Sequence, residues 1–216
     1  MFPLTPSAFV RPEKARDAAR IEALLNAAFG IDRRQKKTVY KLRDGVDPVR
    51  ELSYVVEYKE GAGGLRDSGT DEKLSSESQG LQAPQPLSPP APSSGNEVAA
   101  TIRYWPILLP SGAAGLLLGP IAVDEARQAE GIGASLMTFS MGQARALGYS
   151  SMLLVGDETY YGRFGFSRGV TKNLQLPGPV EEERFLGLEW APGALSNEQG
   201  VIRKWPPGKL LPHYKK

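Results

Sequence analysis

Leu118-Gly-Pro-Ile-Ala-Val123-Asp-Glu-Ala-Arg-Gln128-Ala-Glu-Gly131-Ile-Gly133-Ala-Ser-Leu136 is the stretch from which the rest of this chain can be placed. Its apolar first half reads as a strand ending near Val123. A short polar loop follows, then two glycines at the start of a helical pattern. Glycine there lets the backbone lie against a bulky anion with no Cβ in the way. The first N–H groups of a helix have no internal acceptor, and the helix dipole adds to their pull on an anion. Gln128, Ala129, Glu130, Gly131, Ile132, Gly133, Ala134 and Ser135 therefore read as a pyrophosphate cradle. Three nucleotide patterns use such a turn. A Walker A run is absent. A dinucleotide fingerprint needs Gly or Ala where this chain has Leu136. The pattern Gln/Arg-x-x-Gly-x-Gly/Ala is met at each fixed position by Gln128, Gly131 and Gly133.

Outward from the turn, helices and strands alternate. A helix is expected from Gly131 to Leu147, with Ile132, Leu136, Phe139 and Leu147 inward, Gln143 interrupting that stripe and Gly148 as the stop. Ser150 to Val155 reads as a buried strand and Glu158 to Phe164 as a short helix. Further strands are expected around 166–170, 184–190 and 200–205. Upstream, Val98 to Leu109 and Ala113 to Val123 are strands joined through Pro110-Ser-Gly112. Ile21, Leu24, Leu25, Ala28 and Phe29 give 16–30 a helical stripe. Ala8 to Val10 and Leu52 to Tyr58 read as strands, and 33–44 as a second helix. The alternation implies an α/β layered fold with at least one parallel strand pair. Residues 60–97 hold no Val, Ile, Met or aromatic residue. They are expected to be a disordered or poorly packed insertion between two strands.

Composition removes several classes of chemistry. The 216 residues include no cysteine, which excludes disulfides, thiolate catalysis and Cys-ligated metals. The one histidine, His213, excludes a multi-His metal site or a His-based triad within one chain, so no metal is expected. It falls in the stretch 206–216, expected to be a C-terminal tail. A net charge of +2 and an isolated Arg33-Arg34-Gln-Lys36-Lys37 run give no basic surface suited to nucleic acid. Met1 to Pro6 does not read as a signal peptide, and the apolar stretch 113–123 is too short and broken to span a bilayer. A cytoplasmic protein that binds neither nucleic acid nor membrane is expected, as a monomer or homodimer.

The turn and its surroundings resemble the GCN5-related N-acetyltransferase (GNAT) superfamily. That family sets a bulged strand before the turn, as 118–124 suggests. After the helix it has a parallel strand, then Tyr-x-x-x-Gly-Phe, which Tyr161-Gly-Arg-Phe-Gly165-Phe166 fits. The runs Val155 to Phe166 and Gly187 to Leu195 are similar to a branch labelled YhbS-like. The resemblance covers about 8–205 without the insertion. It implies a mixed central sheet of about 6–7 strands flanked by about four helices, in one N-acetyltransferase domain spanning 5–205. Many members carry Lys or Arg between the Gln and the first Gly. Here Ala129 and Glu130 stand there, so Glu130 either turns to solvent or is offset by Arg127.

The resemblance further implies acetyl-CoA as co-substrate and transfer of its acetyl group to a primary amine of a small molecule or protein. It assigns oxyanion donation to the backbone N–H of Val123, with Ile121 and Ala122 bordering the pantetheine arm. Tyr161 becomes the general acid toward the leaving thiolate, with Tyr160 the adjacent alternative. Phe164 flanks the cofactor. The base stays open among carboxylates near the central strands, with Asp157 named ahead of Glu158 and Glu57. Transfer of a longer acyl group is a second option. A non-catalytic acyl-CoA-binding or regulatory domain is the alternative from another class.

Overall fold

A computed structural model of the chain describes residues 2–4, 8–32, 38–59 and 97–214. The strands are β1 (Phe2–Pro3), β2 (Ala8–Pro12), β3 (Tyr54–Tyr58), β4 (Glu97–Leu108), β5 (Ala114–Val123), β6 (Ser151–Val155), β7 (Leu174–Gln175), β8 (Phe185–Glu189), β9 (Gly200–Val201) and β10 (Arg203–Lys204). The α-helices are α1 (Ala18–Phe29), α2 (Val39–Arg43), α3 (Ile132–Ala146) and α4 (Glu158–Tyr161). The main sheet runs β1-β2-β3-β4-β5-β6-β8, with β10 paired to the end of β4. Neighbours are antiparallel except β5 and β6, which are parallel because α3 carries the chain back between them. β7 and β9 form a separate parallel pair. The mixed α/β architecture is the expected one, with the two-residue strands β1 and β10 added to the sheet.

Period-two alternation sorts the core into two faces. Tyr54, Val56 and Tyr58 of β3, Leu116 and Leu118 of β5, and Met152 and Leu154 of β6 pack toward Ile132, Leu136, Met137 and Ala144 of α3. Val55 and Ala122 pack under Ile21, Leu24 and Leu25 of α1. Leu117 and Leu153 pack on that same opposite side with Val39 and Leu42 of α2.

Some expected boundaries move. No strand forms at 166–170: Ser167 makes a single bridge to Gly187, and 169–171 is a 3-10 turn. Thr171 there sends its hydroxyl to the Phe185 carbonyl at 2.6 Å, which favours a turn over a ladder. The stripe of α3 is Ile132, Leu136, Met137, Ser140 and Ala144, so Gln143 lies on the outer face and interrupts nothing. The helix expected over 33–44 is described only as α2; residues 33–37, with the Arg-Lys run, lie outside the described residues, as do 60–96 of the insertion. In the expected tail, Leu211 packs on the core and the His213 ring meets Tyr149 edge-on at 5.9 Å. No helix among the described residues is long and apolar enough to cross a membrane.

Candidate active site

The site is made by a bulge and a split. Ile102 pairs with Ile121 and Tyr104 with Leu118, so Arg103 alone faces both Gly119 and Pro120. Two residues against one is a β-bulge. Gly119 sits there at φ +105°, a backbone setting that favours glycine. The extra residue reverses the alternation of β5: before it Leu116 and Leu118 face α3, and after it Ile121 and Val123 do.

The bulge also decides where the backbone points. Asp124 donates its N–H to the Ala99 carbonyl at 2.7 Å. Antiparallel ladders alternate, so Ala122 is bonded to Thr101 on β4, whereas Ile121 and Val123 turn N–H and C=O away from β4. On that side β6 has departed. The parallel register covers only Leu116–Leu117 against Met152–Leu153. Beyond it the strands diverge around a cleft of about 270 Å³, walled by Leu118 to Ile121, Leu154, Val155, Tyr161, Tyr40, Arg43, Glu181 and Arg184 among others.

The glycine turn lies past the end of β5. Residues 125–130 form a 3-10 helix rather than an open loop, begun by Asp124, whose carboxylate accepts from the Ala126 N–H at 3.0 Å. Gly131 stands outside α3 at φ +71°, and Gly133 is its second residue. The first hydrogen bond of α3 runs from Ser135 N–H to the Gly131 carbonyl, so the earlier N–H groups have no acceptor in the helix. A Cβ on Gly133 would lie 3.3 Å from Val123 Cγ2 and 3.4 Å from the Tyr160 hydroxyl. Val123, Gly133 and Tyr160 thus meet at one point. Gln128, Ala129, Glu130, Gly131 and Ser135 are exposed around it, Ala134 is half-buried and Ile132 is buried in the core.

The acid in the turn is matched on both sides. Glu130 pairs with Arg127 at 3.3 Å and accepts from the Tyr58 hydroxyl. Arg127 lies 3.8 Å from the Tyr58 ring centre. Both outcomes expected for Glu130 are observed: the side chain is exposed to solvent and is paired with Arg127.

Tyr160 and Tyr161 pack edge-to-face at 4.9 Å but point to different places. Tyr160 reaches Gly133, whereas Tyr161 lines the cleft. Burial, then the neighbouring Tyr160, pushes the Tyr161 phenol up to about 12, against a smaller opposing effect of Arg184. Its ring fills the space beside Gly156, where any Cβ would collide with it. Phe164 packs 5.8 Å from Tyr160.

The carboxylates considered for the base lie elsewhere. Asp157 is exposed and caps α4, accepting from the Thr159 N–H at 2.8 Å. Glu158 accepts from the Arg168 N–H at 3.2 Å. Glu57 is buried in a cluster with Arg11 and Asp17. None of the three lines the cleft; Glu181 does, 3.7 Å from Arg184. Glu181, Arg184 and Arg43 escape a reading by motif. Only Arg43 leaves a trace in the sequence, as a cation on the apolar stripe Val39, Leu42, Arg43 of α2.

No protein-family model matches the chain. It is 28% identical over 85 residues to the uncharacterised N-acetyltransferase YhbS of Escherichia coli strain K12. The matched stretch is 39% of this chain and 51% of that protein, so the chain spans about half the length of the curated relatives it matches. In three dimensions it is similar to the GNAT family N-acetyltransferase YhbS from Escherichia coli in complex with CoA. The TM-score is 0.64 at 22% identity, covering 100% of this chain and 96% of that one. A GNAT family acetyltransferase from Brucella melitensis in complex with acetyl-CoA gives 0.54 at 25% identity, covering 93% and 97%. On sequence and fold together, the chain has the architecture of the GNAT N-acetyltransferases and resembles the YhbS branch among them.

Proposed function

We propose that this protein is an acetyl-CoA-dependent N-acetyltransferase acting on a primary amine of a small molecule or protein. The observation that carries the reading is the split between β5 and β6, with the backbone of Ile121 and Val123 turned into it and a glycine turn beyond its end. A linear amide-bearing ligand fits such an edge as an added strand. Ile121 and Val123 border it through their backbones, with Ala122 fixing the strand from beneath α1. Its phosphates fall to Gln128 and the backbone from Ala129 through Ser135, with Tyr160 and Phe164 flanking. We take 5–205 as one domain carrying this activity, 60–97 as an insertion in it and 206–216 as its tail.

Bound acetyl-CoA supplies an acetyl group activated as a thioester. Val123 N–H is free of the β4 ladder and is placed to donate to the carbonyl oxygen as charge gathers there. The amine nitrogen attacks the carbonyl carbon, the carbon–sulfur bond breaks, and the amine proton leaves to water or to Glu181, the carboxylate lining the cleft. Tyr161 holds its proton at neutral pH and points its phenol into the same space.

Calorimetry with acetyl-CoA tests the cradle. Wild type is expected to bind and Gly131→Glu to show no binding, because the substitution sets a strained backbone and an acid where the phosphates rest. Unchanged affinity in the variant would move the phosphate site elsewhere. Release of CoA against an amine panel tests the chemistry; binding with no release to any amine would favour a non-catalytic acyl-CoA-binding domain.

A further inference from the structure

Arg43 is the least expected residue in the cleft wall. It stands on the inward stripe of α2 and is only 9% exposed. No carboxylate pairs with it among the described residues, and its Nε has no hydrogen-bond partner. Its guanidinium lies 4.7 Å from the Trp105 ring centre and 5.0 Å from that of Tyr40, and the Tyr40 phenol is its polar neighbour. One nitrogen of its fork would stand 3.4 Å from a Cβ at Gly119, so the glycine of the bulge leaves that edge of the fork open to the cleft.

Burying a cation without an anion is costly, and aromatic faces return only part of the loss. Burial brings the group down to about 10, so it is still charged at neutral pH. The charge is also in the wrong place for the phosphates. Arg43 stands beside Gly119, four residues before Val123 on β5, and the glycine turn lies farther on, past the end of that strand.

We infer that Arg43 anchors a carboxylate carried by the acceptor, so that the amine acetylated here belongs to a small amino acid-like molecule. A planar fork set against two rings suits the two oxygens of a carboxylate, and a cleft of about 270 Å³ suits a small molecule. This inference rests on the acetyltransferase reading above.

The test compares wild-type turnover of amino acids with that of the amines left when the carboxylate is removed: glycine with methylamine, β-alanine with ethylamine, and the common amino acids with their decarboxylated forms. The carboxylated member is expected to have at least about tenfold higher kcat/KM, carried by KM. Arg43→Gln is expected to bring the ratio within about twofold, Arg43→Lys to keep part of it, and neither to change acetyl-CoA affinity. Equal turnover of both members by wild type would overturn the inference whether or not the variants fold. A preference for aminomethylphosphonate over glycine would replace the carboxylate with a phosphate-bearing acceptor and overturn it too. Absence of acetyl-CoA binding, or of CoA release to any amine, would be a failure of the acetyltransferase reading instead. The anchor is then judged by NMR line broadening alone. N-acetylglycine and N-acetyl-β-alanine should bind wild type and not Arg43→Gln, and N-methylacetamide and N-ethylacetamide should bind neither. Equal binding of all four to wild type would overturn it.

Discussion

Tyr161 illustrates how a residue's surroundings narrow its role. A phenol raised to about 12 stands well above a free thiol near 8.5. Full transfer of its proton to a thiolate is therefore uphill, so the role proposed for Tyr161 is that of a hydrogen-bond donor to the sulfur as charge develops. Tyr161→Phe should lower kcat about a hundredfold with the KM for acetyl-CoA unchanged, read from steady-state kinetics. The pH profile should have no limb below pH 10 that the variant removes. An unchanged kcat would pass the role to Tyr160, whose hydroxyl lies by Gly133. The family resemblance put Tyr161 first and left Tyr160 as the adjacent alternative. Adjacent residues on a short helix point about 100° apart, and only the packing against Gly156 says which one enters the cleft.

At the scale of elements, the bulge on β5 and the stripe of α3 hold the site in place. The pattern of residues made β5, α3 and β6 legible, because glycines, apolar runs and a helix stop mark their ends. The resemblance expected a bulged strand over 118–124, but the pattern did not say that Gly119 and Pro120 form the bulge, since an inserted residue shows only when a partner strand counts against it. Nor did it single out Ser140, a polar residue inside α3. The Ser140 hydroxyl is 2.7 Å from the buried Tyr104 hydroxyl and 2.7 Å from the Leu136 carbonyl. Ser140→Ala should cost about 1–3 kcal/mol in urea unfolding, because the Tyr104 hydroxyl loses its partner. Adding Tyr104→Phe should recover part of that loss; a double variant weaker than the sum of the two single ones would refute the pairing.

Across the whole molecule, one cluster of buried, mutually paired charges ties the sheet to its first helix. Arg11 on β2 bonds Asp17 at 2.6 Å and Glu57 on β3. Burial alone would raise the Asp17 carboxyl, but Arg11 and the Lys14 N–H outweigh it and hold the group below its ordinary value. A lowered carboxyl binds fewer protons folded than unfolded, so its contribution is complete above the unfolded value near 3.9 and is lost as pH falls through the folded one. Unfolding free energy should therefore be flat from pH 7 to about 5 and decline below it. Asp17→Asn should flatten that decline and cost roughly 3 kcal/mol at pH 7, as expected for a broken buried pair. A decline of equal slope in the variant would exclude Asp17 as its source. The split between β5 and β6 has a mechanical side as well. A sheet owes its stiffness to continuous cross-strand ties, and here the block from β1 to β5 is joined to β6 and β8 by a ladder only two residues deep. Such a seam is a built-in line of compliance. A ligand lying along it bears on both lips at once, so filling the groove and stiffening the protein become one event.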